Sequence, residues 1–265
     1  NAGPAILGRG VVQLSGWLDL FLASFLFTGA VAVLGYAQIL YMLPISLFGM
    51  SVAAAELPEL ARRRTGAVEE LRLRTNGGLR QIAFFVVPSV VGYLVLGDVI
   101  VAAFFQRGEF VEADTLLVHL VLAGYSLGLL AATATRLFSS TFFALHDTRT
   151  PAKYAMTRVF LAGAIGGALM FPLERIILEG RPIGVFGLAL GAGVAAWVEW
   201  SLLRRSLRKR IGRVGIGLGV VFRMLLAAVL AAAAGRGALA LAPDLGTIPR
   251  LVVALVPYGL VYFAA

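Results

Sequence analysis

The chain has 265 residues, 60% of them hydrophobic and only 14% charged, with a formal net charge of +9 and a mean hydropathy of +0.90. Globular domains carry roughly 25% charged residues, so this composition speaks against a water-soluble fold. The absence of cysteine excludes disulfide frameworks, thiolate metal sites and cysteine nucleophiles. Two histidines leave little for a metal cluster or a catalytic triad.

A membrane-crossing helix needs about 20 mostly apolar residues. Eight such stretches follow in order, at residues 5–33, 36–57, 79–105, 115–145, 153–171, 183–203, 216–241 and 251–265. The fourth is long enough to project beyond the bilayer. The eighth is short, and the chain opens on Asn1 rather than a methionine, so a piece of a longer protein is the expectation. Continuous runs of this length do not fit barrel strands, which alternate over ~9–11 residues. The N-terminus shows no secretory signal pattern. The fold class expected is an all-α polytopic membrane helix bundle.

The connections differ in charge. Those after the second, fourth and sixth stretches hold six, two and six basic residues, including Arg63, Arg149 and Arg208. The others hold four, Arg107, Arg175, Arg181 and Arg250, among acidic residues such as Glu112, Glu179 and Asp244. Strict alternation is what the positive-inside rule gives for eight spans, with both ends of the segment cytoplasmic. The basic clusters are short loops between spans, so topology accounts for them together with anionic lipid contact. A nucleic-acid partner is not expected.

Pro44 and Pro88 fall inside spans and invite kinks, read as bundle shape or as hinges. The spacings Gly124/Gly128, Gly163/Gly167 and Gly187/Gly191 permit close helix approach. Ionisable residues at membrane depth carry a functional hypothesis each. Asp19 is the clearest, with Ser15 on the same helical face and Gln13 nearby. That group could hold a proton or a hard cation such as sodium, or Asp19 could make a protonated interhelical hydrogen bond. Arg136 could meet an anionic headgroup, pair with Asp19 or serve structurally. Arg158 and Arg223 lie nearer span ends, where snorkelling is favoured. Glu199 is expected to pair near Arg204 at the interface, Asp98 and Glu56 to reach water, and His119 to pack. No HExxH, GxSxG or paired-carboxylate constellation occurs. An enzyme is therefore not expected, nor a resident metal or cofactor.

Three segments, LGYAQILYMLPISLFGMSVAAAELPELARR, QRGEFVEADT and GYSLGLLAATATRLFSSTFFALHDTRTP, resemble in order and spacing the MurJ (MviN) lipid II flippases of the multidrug/polysaccharide exporter superfamily. The likeness covers residues 4–160 well; beyond that, only span number and charge pattern match. It implies the second six-helix lobe of a fourteen-helix flippase, residues 1–209, followed by two additional helices, residues 210–265. The N-terminal lobe of the same protein would then precede this segment. The implied activity is rocker-switch flipping of lipid II across the bacterial cytoplasmic membrane, with membrane potential or a coupled cation resetting the cycle. Arg136 matches the family's basic position in the fourth span. The family's Asp-Arg pair after Tyr-Ala is replaced by Gln38 and Ile39. Candidate substrate-binding residues are thus Arg136, Gln38 and Arg223, and candidate ion-coupling residues Asp19, Gln13 and Ser15. Two alternatives stay open: an exporter of another substrate, such as a polysaccharide-lipid or a drug, and a non-transporting membrane scaffold. The Asp147-Thr-Arg-Thr-Pro151 run reads as a capped helix start.

Overall fold

In the computed structural model, which describes residues 16–49, 67–241 and 245–265, a helix at 16–23 opens the described chain. We call it α1. It is followed by α2 (Ala30–Pro44) with a π turn at Ile45–Gly49, α3 (Ala67–Phe105), α4 (Glu112–Ala144) and α5 (Arg149–Glu174). A two-stranded antiparallel hairpin, β1 (Ile177–Leu178) and β2 (Arg181–Pro182), leads to α6 (Gly184–Ile211), α7 (Leu218–Ala240) and α8 (Thr247–Ala264). Among the described residues, seven helices, α2 to α8, are long and apolar enough to cross a membrane. Gln13, Ser15, Glu56, Arg63 and Asp244 lie outside the described residues.

The buried centre belongs to α4, which packs on α2, α3 and α6. Helix α5 lies on α6, and the α7–α8 hairpin lies on α3. Helices cross closely where glycines face each other. A Cβ on Gly128 would stand 2.6 Å from the Gly193 Cα, and one on Gly191 would stand 2.5 Å from the Gly166 nitrogen. Of the expected pair Gly163/Gly167, Gly163 closes on Leu18 of α1, whereas Gly167 faces open space and Gly166 makes the close approach to α6.

Several boundaries differ from expectation. The continuous span at 5–33 is broken at 24–29. There the Ser24 hydroxyl donates back to the Phe21 carbonyl at 2.6 Å, Gly29 takes φ +104°, and the Phe27 N–H donates to Glu174 Oε1 at 3.0 Å. Helix α2 therefore starts at Ala30, six residues before the expected Tyr36. Helix α3 starts at Ala67 rather than Leu79, and its 39 residues rise about 58 Å, nearly twice a ~30 Å hydrocarbon core. Its polar first turns are helical because Glu69 pairs with Arg72 and Glu70 with Arg74 along one face. Likewise the basic run Arg204–Arg210 is the end of α6 and not a loop. Hydropathy finds the apolar stretch, whereas helix length also includes turns held by propensity and ion pairs.

Proline interrupts two helices in the same way. Pro44 and Pro88 have no N–H, so the carbonyls four residues earlier, Leu40 and Phe84, lose their helical donor. Each is met by a tyrosine hydroxyl from another helix: Tyr93 donates to the Leu40 oxygen at 2.6 Å, and Tyr262 to the Phe84 oxygen at 2.5 Å. His119 fills the notch left by Gly97 and hydrogen-bonds the Tyr93 carbonyl at 3.1 Å, a packing role as expected. At the start of α5, Thr148 makes no cap bond. Asp147 makes it instead, accepting the Thr150 N–H at 3.0 Å and its hydroxyl at 2.7 Å.

Candidate functional site

Five helices bring charged and polar side chains to one place inside the bundle. From α2, the Gln38 amide donates to the Tyr125 hydroxyl of α4 at 3.2 Å. Tyr41, one turn on, lies against the Tyr125 ring with centroids 5.1 Å apart. Asp19 of α1 is 6% exposed; its carboxylate lies near the Tyr125 hydroxyl and in the field of Arg158. Arg158 of α5 donates to Glu199 of α6 at 3.3 Å and lies near the Tyr41 hydroxyl. Glu199 is buried. Arg136 of α4 is half-buried, and Tyr41, Arg158 and Glu199 are its electrostatic neighbours.

The cluster sits within the apolar part of the bundle. At 1.5 Å per residue, Glu199 stands about 22 Å from the start of α6 and about 7.5 Å from Arg204, where the basic end of the helix begins. Charges there are costly unless paired. Two guanidiniums and two carboxylates balance one another, with two tyrosine hydroxyls and an amide between them. The balance leaves donors over: among the described residues, the Arg158 Nε is buried without a partner, and no hydrogen bond to the Arg136 guanidinium is formed. An incoming anion with several oxygens could draw on both arginines, because such bonds are charge-assisted.

The predicted residues fall into three groups. Asp19, Gln38 and Arg136 come together in this cluster, although Asp19 meets Arg158 rather than Arg136. Gln13 and Ser15 lie outside the described residues. Arg223 is exposed on α7, which packs on α3 and α8 and away from the cluster. Two readings are corrected. Arg158 turns inward to Glu199 instead of snorkelling. Arg204 lies over the Trp200 ring at 5.1 Å and donates to the Val214 carbonyl at 2.9 Å, on the wall of a cavity of about 760 Å³. Glu199 therefore has its partner on α5 and not one turn along α6.

Sequence reasoning missed Tyr41 and Tyr125, and it missed Arg236. The Arg236 guanidinium grips Asp98 with two bonds, at 3.0 and 2.6 Å, and donates from Nε to the Val95 carbonyl at 2.9 Å. Asp98 reaches water as expected, with 30% of its side chain exposed, and is also engaged by α7. One signal for the Arg158–Glu199 pair was present. Consecutive antiparallel helices place residues equidistant from their connection at one depth, and these two lie nearly equally far from the α5–α6 link.

The family model described as "Lipid II flippase MurJ" matches residues 1–257. A probable lipid II flippase MurJ of Vibrio cholerae is 31% identical over 205 residues, covering 77% of this chain and 37% of the relative. One from Rhizobium meliloti is 34% identical over 234 residues, covering 87% and 42%. A solved structure described as "Lipid II flippase MurJ, inward closed conformation" superposes with a TM-score of 0.74 at 23% identity, over 97% of this chain and 52% of that one. The chain thus spans about two fifths of the length of these curated relatives. On the family match and the shared helical bundle, the chain belongs to the lipid II flippase MurJ family.

Proposed function

We propose that this chain forms part of a transporter, not an enzyme, that moves lipid II across the bacterial cytoplasmic membrane by alternating access. Residues 1–209 would serve as the second lobe and 210–265 as the appended pair of helices, with the basic ends of the helices in the cytoplasm. The observation that carries the reading is the buried cluster of Asp19, Arg136, Arg158 and Glu199 in a bundle of this family. A pyrophosphate would take up the spare donors of Arg136 and Arg158 and displace Glu199 and Asp19 as their counter-charges. A carboxylate so released cannot stay bare at that depth. It would take a proton or a sodium ion, which makes Asp19 the coupling residue. Gln38 offers a neutral donor to the same wall, and Arg223, on the outer face of α7, meets the headgroups of surrounding lipid.

The test is flipping by the reconstituted protein, and growth of cells depleted of their own flippase when supplied with the gene that encodes this chain. Arg136→Ala should abolish flipping while the protein stays in the membrane, and Arg136→Lys should keep part of it, because charge survives without the planar fork. Full activity of the alanine variant would remove Arg136 from the substrate site. In the same vesicles, Asp19→Asn should remove any dependence on a sodium or proton gradient; unchanged dependence would leave Asp19 a hydrogen-bonding residue only.

A further inference from the structure

The two proline breaks are not independent. Inside hydrocarbon no water can satisfy a carbonyl freed by proline, so the donors supplied by other helices fix how those helices sit. Tyr262 of α8 serves the break in α3, and Tyr93 of α3, five residues beyond Pro88, serves the break in α2. Their rings extend the connection. Tyr262 packs on Phe84 at 5.5 Å, Phe84 on Phe85 at 5.1 Å, and Phe85 stacks on Phe48 at 4.6 Å and 3°. Phe48 lies in the π turn that follows Pro44. Backbone packing between α2 and α3 is otherwise slight, so this ladder ties them at the proline end, as the Tyr36–Phe105 ring contact at 4.8 Å does at the other. Leu40, the capped residue, sits between Gln38 and Tyr41, both members of the charge cluster.

The geometry points to Tyr93 and Tyr262 as positioning residues: two hydroxyl caps on successive proline breaks that set α2, and with it the Gln38–Tyr41 wall, according to the seat of α8. Neither hydroxyl touches an ion-paired group of the cluster. Each acts through a backbone carbonyl, and Tyr262 acts on a helix that it does not reach. The consequence for transport rests on the reading of the cluster as the substrate site; the mechanical coupling does not.

Tyr258 supplies the control. Its hydroxyl donates to the Pro88 oxygen and lies beside the Gly92 N–H, but these two groups are four residues apart in the continuous α3 and are each other's helical partners once the hydroxyl is gone. Removing the Tyr258 hydroxyl therefore orphans nothing, whereas removing that of Tyr262 orphans Phe84.

This chain contains no cysteine, so Ile39→Cys on the exposed face of α2 and Phe160→Cys on that of α5 give a clean spin-labelled pair within it. The interspin distance distribution is read in lipid nanodiscs for the parent and for Tyr93→Phe, Tyr262→Phe and Tyr258→Phe. A hydroxyl bond between membrane helices shifts an equilibrium by about threefold to twentyfold. The displaced α2 population should rise by that factor in Tyr93→Phe and also in Tyr262→Phe, and stay at the parent level in Tyr258→Phe. A Tyr262→Phe distribution identical to the parent's overturns the relay, and so does an equal rise in Tyr262→Phe and Tyr258→Phe, which signals general loosening. Flipping is measured on the same samples. Normal flipping by cluster variants would defeat the proposed function without touching the spectroscopic result.

Discussion

Two sets of polar contacts within the bundle are organised differently. Where α1, α2, α4, α5 and α6 converge, Arg158 faces Glu199, Tyr41 and Asp19 at once, and Arg136 adds a second guanidinium with Glu199 and Tyr41 beside it. At the α7–α8 hairpin, Arg236 commits Nη1, Nη2 and Nε to one spot on α3, the Asp98 carboxylate and the Val95 carbonyl. Shared partners allow rearrangement with little change in the number of bonds formed. A single saturated partner does not. The difference separates a cluster suited to exchanging its counter-charges from a clasp suited to holding a hairpin in place.

The sharpest way to break that contrast is to cut the Arg158–Glu199 pair. Removing one partner of a buried ion pair typically costs about 3–5 kcal/mol, because the other charge is left bare. Arg158→Met should therefore lower stability in detergent strongly, and Glu199→Gln less so, since the amide can still accept from the guanidinium. The double variant Arg158→Met/Glu199→Met should recover most of the stability and none of the transport. Recovery of flipping in the double variant would reduce the pair to a structural tie. Thermal unfolding and flipping on the same preparations separate the two outcomes.

The hairpin predicts a smaller and different loss. Both Arg236 and Asp98 are partly exposed, at 41% and 30%, so solvent screening lowers the worth of the pair to about 1 kcal/mol. Arg236→Met should weaken the seating of α7 on α3 by that order, detectable as faster hydrogen exchange in α7 and α8. Exchange in α4 and α6 should stay as in the parent. An equal rise across all helices would show that the clasp carries the whole bundle.

What could be read from the residues divides along the same line. The helical bundle was legible, because apolar length and loop charge are local properties. Asp19, Gln38 and Arg136 were legible because each interrupts an apolar run or matches a motif. Arg236 interrupts an apolar run as plainly as Asp19 does, yet drew no notice, and its pairing with Asp98 spans 138 residues of sequence. The depth of Arg158 was not legible, because distance from the end of an apolar stretch is not depth when the helix itself begins at Arg149, a full turn before the stretch at 153. Tyr93 and Tyr262 carried no sequence signal at all, since a tyrosine that caps a proline break looks like any aromatic residue in a membrane helix.

The smallest effect falls outside the membrane, where Asp147 ties the start of α5 to the end of α6 through Arg210 at 3.4 Å. Partial burial pushes its carboxyl up, but the Thr150 N–H and hydroxyl, with the Arg210 charge, outweigh burial and hold it below the ordinary aspartate value. A carboxyl depressed by folding contributes stability that is fully present above its unfolded value of ~4 and is lost as pH falls through the folded value. Nothing should therefore change between neutral pH and pH ~5 on account of this residue. Below pH ~4 the parent should lose stability faster than Asp147→Asn, whose amide still accepts from Thr150 but cannot titrate. The two unfolding curves should converge as the pH is lowered. Parallel curves down to the lowest accessible pH would show that Asp147 acts through hydrogen bonding alone, and would remove charge from the link between α5 and α6.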